Sequence, residues 1–159
     1  MKSHYLLPSA IYTSDTPAII STLLGSCVAV CLWDPVTRAG GMSHYLLPLW
    51  NAEGLPSPKY GNVAIPKLIE KIQSYGAKKN NITAKIFGGG AVLQVADRRN
   101  RFLNVGARNI EIAFEILKKE GIWIQNYDVG GNTGRKIIMN TTDFKIRLKR
   151  IKKTNMQEA

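Results

Sequence analysis

The run CVAVCLW at residues 27–33 is short, apolar and partly β-branched, and it leads directly into Asp34-Pro35-Val36-Thr37-Arg38, a turn sequence with proline at its second position. A strand that turns there must come back through residues 39–47 and stop at Pro48, which has no N–H to give to a sheet ladder. The chain is thus expected to be organised around one strand–turn–strand unit. Gly25, just ahead of the first strand, marks a tight bend, whereas the residues up to Pro17 carry few periodic signals.

The remaining pattern predicts a mixed α/β fold. Residues 49–60 (LWNAEGLPSPKY) are dense in Gly, Pro, Ser and Asn and read as a surface loop, a candidate lid beside a site. A helix over 62–76 would be capped by Asn62, turn Val63, Ile65, Leu68, Ile69 and Ile72 to a core and end at Gly76, with Pro66 tolerated in its first turn. A strand over 82–87 closes on Gly88-Gly89-Gly90. A second helix over 104–120 presents Val105, Ile112, Ala113, Ile116 and Leu117 and stops at Gly121. Strands over 122–129 and 135–140 flank the turn cluster 130–134. Past Asn140 the reading stays open, because Phe144, Ile146 and Leu148 alternate as in a strand while Phe144, Leu148 and Ile151 fit a helix.

Length and composition bound the function. With 159 residues and 45% hydrophobic content, the chain is read as a single domain over 1–159, of which about 145–159 is a basic C-terminal segment. No stretch reaches the ~20 apolar residues of a membrane helix and no secretory leader is recognisable, so a cytoplasmic protein without membrane insertion is expected. Cys27 and Cys31, about 13 Å apart along a strand, are too distant for a disulfide, which fits a reducing compartment. The net charge of +11 favours an acidic partner, although KIRLKRIKK at 145–153 holds six of the 22 cationic residues. That segment is read as a solvated basic edge, and no nucleic-acid partner is expected, since aromatic and basic residues are not interleaved as a stacking platform.

The hairpin also carries the candidate chemistry. If its loop has four residues, cross-strand partners sum to 71 and Cys27 lies directly opposite His44; with five, Cys27 faces Tyr45 and His44 points to the other side. In the first register a thiol and an imidazole come within reach of a Cys–His pair, which generates a nucleophile for acyl carbons. Ser21 or Thr22 could orient the imidazole, Gly25 lets backbone approach a substrate, and the amides near Ser26 and Cys27 could bind an oxyanion. On the plainer alternative both cysteines are small buried hydrophobes and His44 a satisfied strand histidine. His4 sits in the same hexapeptide as His44, SHYLLP, but has no comparable link to a cysteine. The glycine clusters lack nucleotide-binding spacing, and the two cysteines and two histidines lack metal-ligand spacing, so neither cofactor nor metal is expected.

LLGSCVAVCLWDP followed by GGMSHYLLP resembles the signature of the chemoreceptor glutamine deamidases, the CheD family of bacterial chemotaxis, and the resemblance continues through KYGNVAIPKLI, AKIFGGGAV, NVGARN and DVGGNTGRKI in the same order. It implies a layered α/β/β domain that hydrolyses glutamine side chains of methyl-accepting receptors to glutamate through a thioester, without a cofactor. It places the nucleophile on Cys27 and the base on His44. The family's third site residue is a threonine six places before the cysteine, where this chain has Ser21, with Thr22 one place later. The same chemistry extends to glutamate methyl esters. A CheC phosphatase is the further partner the family suggests. Two other readings compete: a non-catalytic adaptor for receptor or CheC, which would not need Cys27, and a basic nucleic-acid-binding module, whose affinity would fall steeply with salt.

Overall fold

The computed structural model describes residues 1–91 and 104–152. Val92 of the GGGAV segment, Lys153 and the rest of the basic C-terminal segment lie outside the described residues. Three layers stack on one another. A five-stranded sheet, in the order β2-β5-β4-β6-β7, is covered on one face by two helices and on the other by a four-stranded sheet, β1-β3-β8-β9. In chain order these are β1 (Lys2–Tyr5), β2 (Ile11–Ser14), β3 (Ala18–Leu24), β4 (Val28–Trp33), β5 (Gly40–Tyr45), α1 (Gly61–Ser74), β6 (Thr83–Gly88), α2 (Val105–Lys119), β7 (Trp123–Val129), β8 (Gly134–Asn140) and β9 (Ile146–Ile151). The α/β/β layering with two main helices and mixed sheets is the architecture the resemblance implied.

β4 explains why CVAVCLW does not alternate. Central in its sheet, it sends Val28, Val30 and Leu32 into the core beneath the helices and Ala29 and Cys31 into the core between the sheets, and all five are fully buried. A strand covered on both faces needs apolar residues throughout. The β4–β5 turn is fixed by Asp34, whose carboxylate accepts from the N–H groups of Val36 and Thr37 and from the Thr37 hydroxyl at 2.7 Å. Asp34 N–H also donates to Ala39 O.

Several local expectations need correction. Residues 1–17 hold two short strands, β1 parallel to β3 and β2 antiparallel to β5, whose four-residue length is below what periodicity detects. The stretch from Ala18 is itself a full strand. α1 starts after Tyr60, not at an Asn62 cap: Asn62 instead binds the 49–60 loop, accepting from Trp50 N–H at 2.7 Å and donating to Trp50 O. Val63 is only half-buried, and Ala64 and Gly61 take its place in the core. The second hairpin strand ends at Tyr45 rather than Leu47, which forms a lone bridge to Tyr60. The ambiguous last element is the strand β9. β7 and β8, adjacent in sequence, belong to different sheets, so the chain changes layers across the glycine turn at 130–133.

Candidate active site

Three strands meet where the two sheets face each other. From β5, His44 points into this interior and is only 2% exposed. From β3, Thr22 lies against it, its Oγ1 2.7 Å from His44 Nδ1 and 2.7 Å from the carbonyl of Leu6. The hydroxyl has one proton, and the Leu6 carbonyl can only accept, so that proton belongs to Leu6 and the oxygen accepts from His44 Nδ1–H. The ring tautomer follows. His44 Nε2 is left as a lone pair.

The hairpin register differs from the expected one, and the difference preserves the face. Ala29, not Cys27, is paired with His44; partners sum to 73 because the loop starts one residue later than anticipated, at Pro35. Cys27 lies two residues before Ala29, so by strand alternation it shares His44's face as a diagonal neighbour. The five-residue alternative, which would have flipped His44 away, does not occur. Among the described residues no hydrogen bond joins the thiol to the ring. Cys27 is half-buried and free, whereas Cys31 is fully buried in the inter-sheet core.

Burial sets the protonation of the pair. Desolvation pushes the Cys27 thiol above its ordinary value, partly opposed by its own backbone amide, and pushes His44 down to about 4. Near neutrality both groups are therefore uncharged: the imidazole carries its one ring proton on Nδ1, and Nε2 can take another. Burial raises Cys31 far more, which leaves it chemically silent beside Cys27.

Of the other candidates, Ser21 alternates to the opposite face of β3, pairing with Tyr5 and Ile138 across the ladder, and so does not reach His44. Gly25 and Ser26 form the bend from β3 to β4 that carries Cys27. His4 is on the edge strand β1, stacked on Tyr12 with ring centroids 4.1 Å apart. Among the described residues no three His, Cys, Asp or Glu side chains gather as metal ligands.

The bend that carries Cys27 is held by glycines whose sequence pattern marks only a turn. Gly89 N–H donates to Cys27 O at 2.8 Å and Gly90 N–H to Gly25 O at 2.9 Å. Gly88, at φ +105°, could not be any other residue, since a Cβ there would stand 2.2 Å from Cys27 O. Behind this clasp Gly130 N–H donates to Gly88 O, and buried Arg135 donates from Nη2 to Gly130 O and from Nε to Asp128. Burial alone would raise the Asp128 carboxyl, but hydrogen bonds and charge from Arg135 and Arg150 hold it below its usual value. On the helix side, Asn109 of α2 donates from Nδ2 to Ser26 O at 3.1 Å and to Leu46 O at 2.9 Å. Asn109 closes the NVGARN stretch, but residue type and spacing give no signal of these two contacts in sequence.

The family described as CheD chemotactic sensory transduction matches residues 46–150. The chain belongs to the CheD family. A Trichlorobacter lovleyi protein named "Probable chemoreceptor glutamine deamidase CheD" is 43% identical over 98% of this chain and 94% of its own length, so the aligned region includes the strands bearing Cys27 and His44. Its namesake from Sulfurimonas denitrificans is 45% identical over 94% of this chain and 95% of its own, and one from Methanococcus maripaludis is 40% identical over 84% and 85%. Among solved structures, the Bacillus licheniformis hypothetical protein YfiH overlays 77% of this chain and 49% of its own at 16% identity, with a TM-score of 0.48.

Proposed function

We propose that this CheD-family chain is a protein-glutamine deamidase acting on chemoreceptors, with Cys27 as nucleophile and His44 as the proton carrier. The observation that carries the reading is the meeting of Thr22 on β3, His44 on β5 and Cys27, on the bend just before β4, between the two sheets, in a chain closely related to proteins named as glutamine deamidases of chemoreceptors.

The chemistry follows from the protonation states. As a glutamine side chain approaches, the Cys27 S–H proton passes to His44 Nε2 and the sulfur bonds to the amide carbon, giving a tetrahedral oxyanion. Thr22 holds the ring and accepts from Nδ1–H, so the imidazolium forms in place. His44 then protonates the nitrogen, ammonia leaves and a thioester remains. Water attacks that carbon, giving a proton to His44, and the tetrahedral species collapses to glutamate with the proton returned to sulfur. The balance is glutamine plus water to glutamate plus ammonia, with no cofactor required. A glutamate methyl ester presents the same acyl carbon and would release methanol by the same steps.

The charge of +11 suits substrates with acidic helical surfaces. The protein is assigned to the cytoplasm, where receptor signalling domains are reached; among the described residues no helix is long and apolar enough to cross a membrane. A CheC-type phosphatase is a second partner of this reading, to be sought by co-purification. Incubation with receptor cytoplasmic fragments, followed by peptide mass spectrometry and ammonia assay, tests the activity. The expected result is a gain of ~1 Da at particular glutamines with one ammonia each. Unchanged receptors from the same source would leave an adaptor role as the better account.

A further inference from the structure

Every carbonyl of the bend that carries the nucleophile is occupied. Gly25 O accepts from Gly90 N–H, Cys27 O from Gly89 N–H, and Ser26 O, between them, from the side chain of Asn109. A peptide group is planar and trans, so its C=O and the following N–H point in opposite directions. Ser26 O points toward α2, on the helix side of the five-stranded sheet. The Cys27 N–H therefore points away from α2 and from the Asn109 amide. Likewise the Gly25 carbonyl, tied to Gly90, turns the Ser26 N–H away from the glycine segment.

Asn109 is placed for this purpose in a way packing does not require. It is fully buried on α2, where a leucine would fill the space, and its Oδ1 has no partner among the described residues. Its two contacts are both carbonyl oxygens, which fixes Nδ2 as the atom facing them. Those carbonyls belong to Ser26, which precedes the nucleophile, and to Leu46, two residues after the base. The helix is itself tied to the base strand, because Tyr45 OH donates to Asn109 O at 2.6 Å. One amide thus spans the nucleophile's bend and the base's strand.

We infer that Asn109 is a positioning residue for the deamidation: its Nδ2 holds the Ser26–Cys27 peptide so that the Cys27 amide faces the developing oxyanion. This rests on the Cys27 and His44 assignment, but it is testable without a receptor. Acylation of Cys27 by p-nitrophenyl acetate passes through a tetrahedral oxyanion, with sulfur bonding to the acetyl carbon and p-nitrophenolate leaving. Alkylation by iodoacetamide displaces iodide at a saturated carbon and forms no oxyanion. Both rates are read against a Cys27→Ala blank, and Cys31 is too buried to contribute.

The variants are Asn109→Leu, which keeps the volume and removes the donor, and Asn109→Ala, with circular dichroism and thermal melting as fold controls. Loss of a single oxyanion donor costs ~10²–10³ in rate, and misaiming one is expected to cost about tenfold or more in acylation while alkylation stays within about threefold. In receptor deamidation the loss should fall on kcat rather than KM. Equal loss of both rates would show that Asn109 merely supports the fold or the Cys–His pairing, and overturns the inference. So would two unchanged rates, a failure of both variants to fold, or parent acylation no faster than the blank. Absence of receptor deamidation by the parent, with the selective acylation loss still seen in the Asn109 variants, would instead remove the proposed substrate and leave Asn109's role standing.

Discussion

Ser21 and Thr22 carry the same functional group one residue apart, and the alternation of β3 sends them to opposite faces. Only Thr22 meets His44. Thr22→Val, which keeps the branched shape but deletes the hydroxyl, leaves both Leu6 O and His44 Nδ1–H without their partner; turnover should fall about 10- to 100-fold with KM little changed, while Ser21→Ala stays within about twofold. Steady-state kinetics on a receptor fragment reads the difference. His44 supplies a stability signal as well. Its pKa is about 4 in the fold against about 6.5 when unfolded, so between these values the unfolded chain binds more protons and stability falls as pH drops from about 6.5 toward 4. Denaturant titrations across that window should show a decline of up to about 3 kcal/mol in the parent and a shallower one in His44→Gln. At this scale the shared face of Cys27 and His44 is legible from residue type and turn position. The choice between Ser21 and Thr22 is not, because it depends on which face of β3 meets a strand twenty residues away.

At the scale of elements, the hairpin survives an error in its own register. Asp34 anchors the turn from its first position and starts the loop one residue later than proline alone suggests, shifting the pairing sum by two. A shift of two keeps each side chain on its face, whereas a shift of one would have separated Cys27 from His44. The glycine segment after β6 shows the opposite case, in which sequence conveys conformation but not purpose. Three glycines announce a turn, yet that the amides of Gly89 and Gly90 hold the carbonyls of Cys27 and Gly25 depends on β6 lying beside β4. Gly88→Ala should therefore damage the site and the fold together. The new methyl meets backbone rather than a movable side chain, at a φ that alanine disfavours, and a loss of about 3 kcal/mol or more with activity down at least tenfold is expected from melting curves and kinetics. β1 and β2 escaped notice because four residues cannot display a period, and their pairing comes from strands elsewhere in the chain.

The whole molecule joins a buried, uncharged Thr22–His44 pair, with Cys27 on the same face, to a strongly basic exterior. On the outer side of the four-stranded sheet, exposed Lys136 and Lys149 are cross-strand partners, and exposed Arg147 is paired with Ile138. Like charges at that separation weaken the ladder slightly and are useful only toward an acidic surface. Raising salt from about 50 to about 500 mM should lower kcat/KM on receptor fragments several-fold, while acylation by a neutral small ester changes little. The layered architecture was legible in sequence mainly through family resemblance; periodicity alone indicated mixed α/β and could not assign β7 and β8 to different sheets. The central claim is that Cys27, with His44, converts receptor glutamines. It is tested most directly by comparing the parent with Cys27→Ala and His44→Ala on the same receptor fragment, following each glutamine-containing peptide by mass over time. The account predicts glutamate at specific positions with the parent, none with Cys27→Ala and a rate lower by about 10²-fold or more with His44→Ala. Conversion by folded Cys27→Ala at the parent's rate would contradict it.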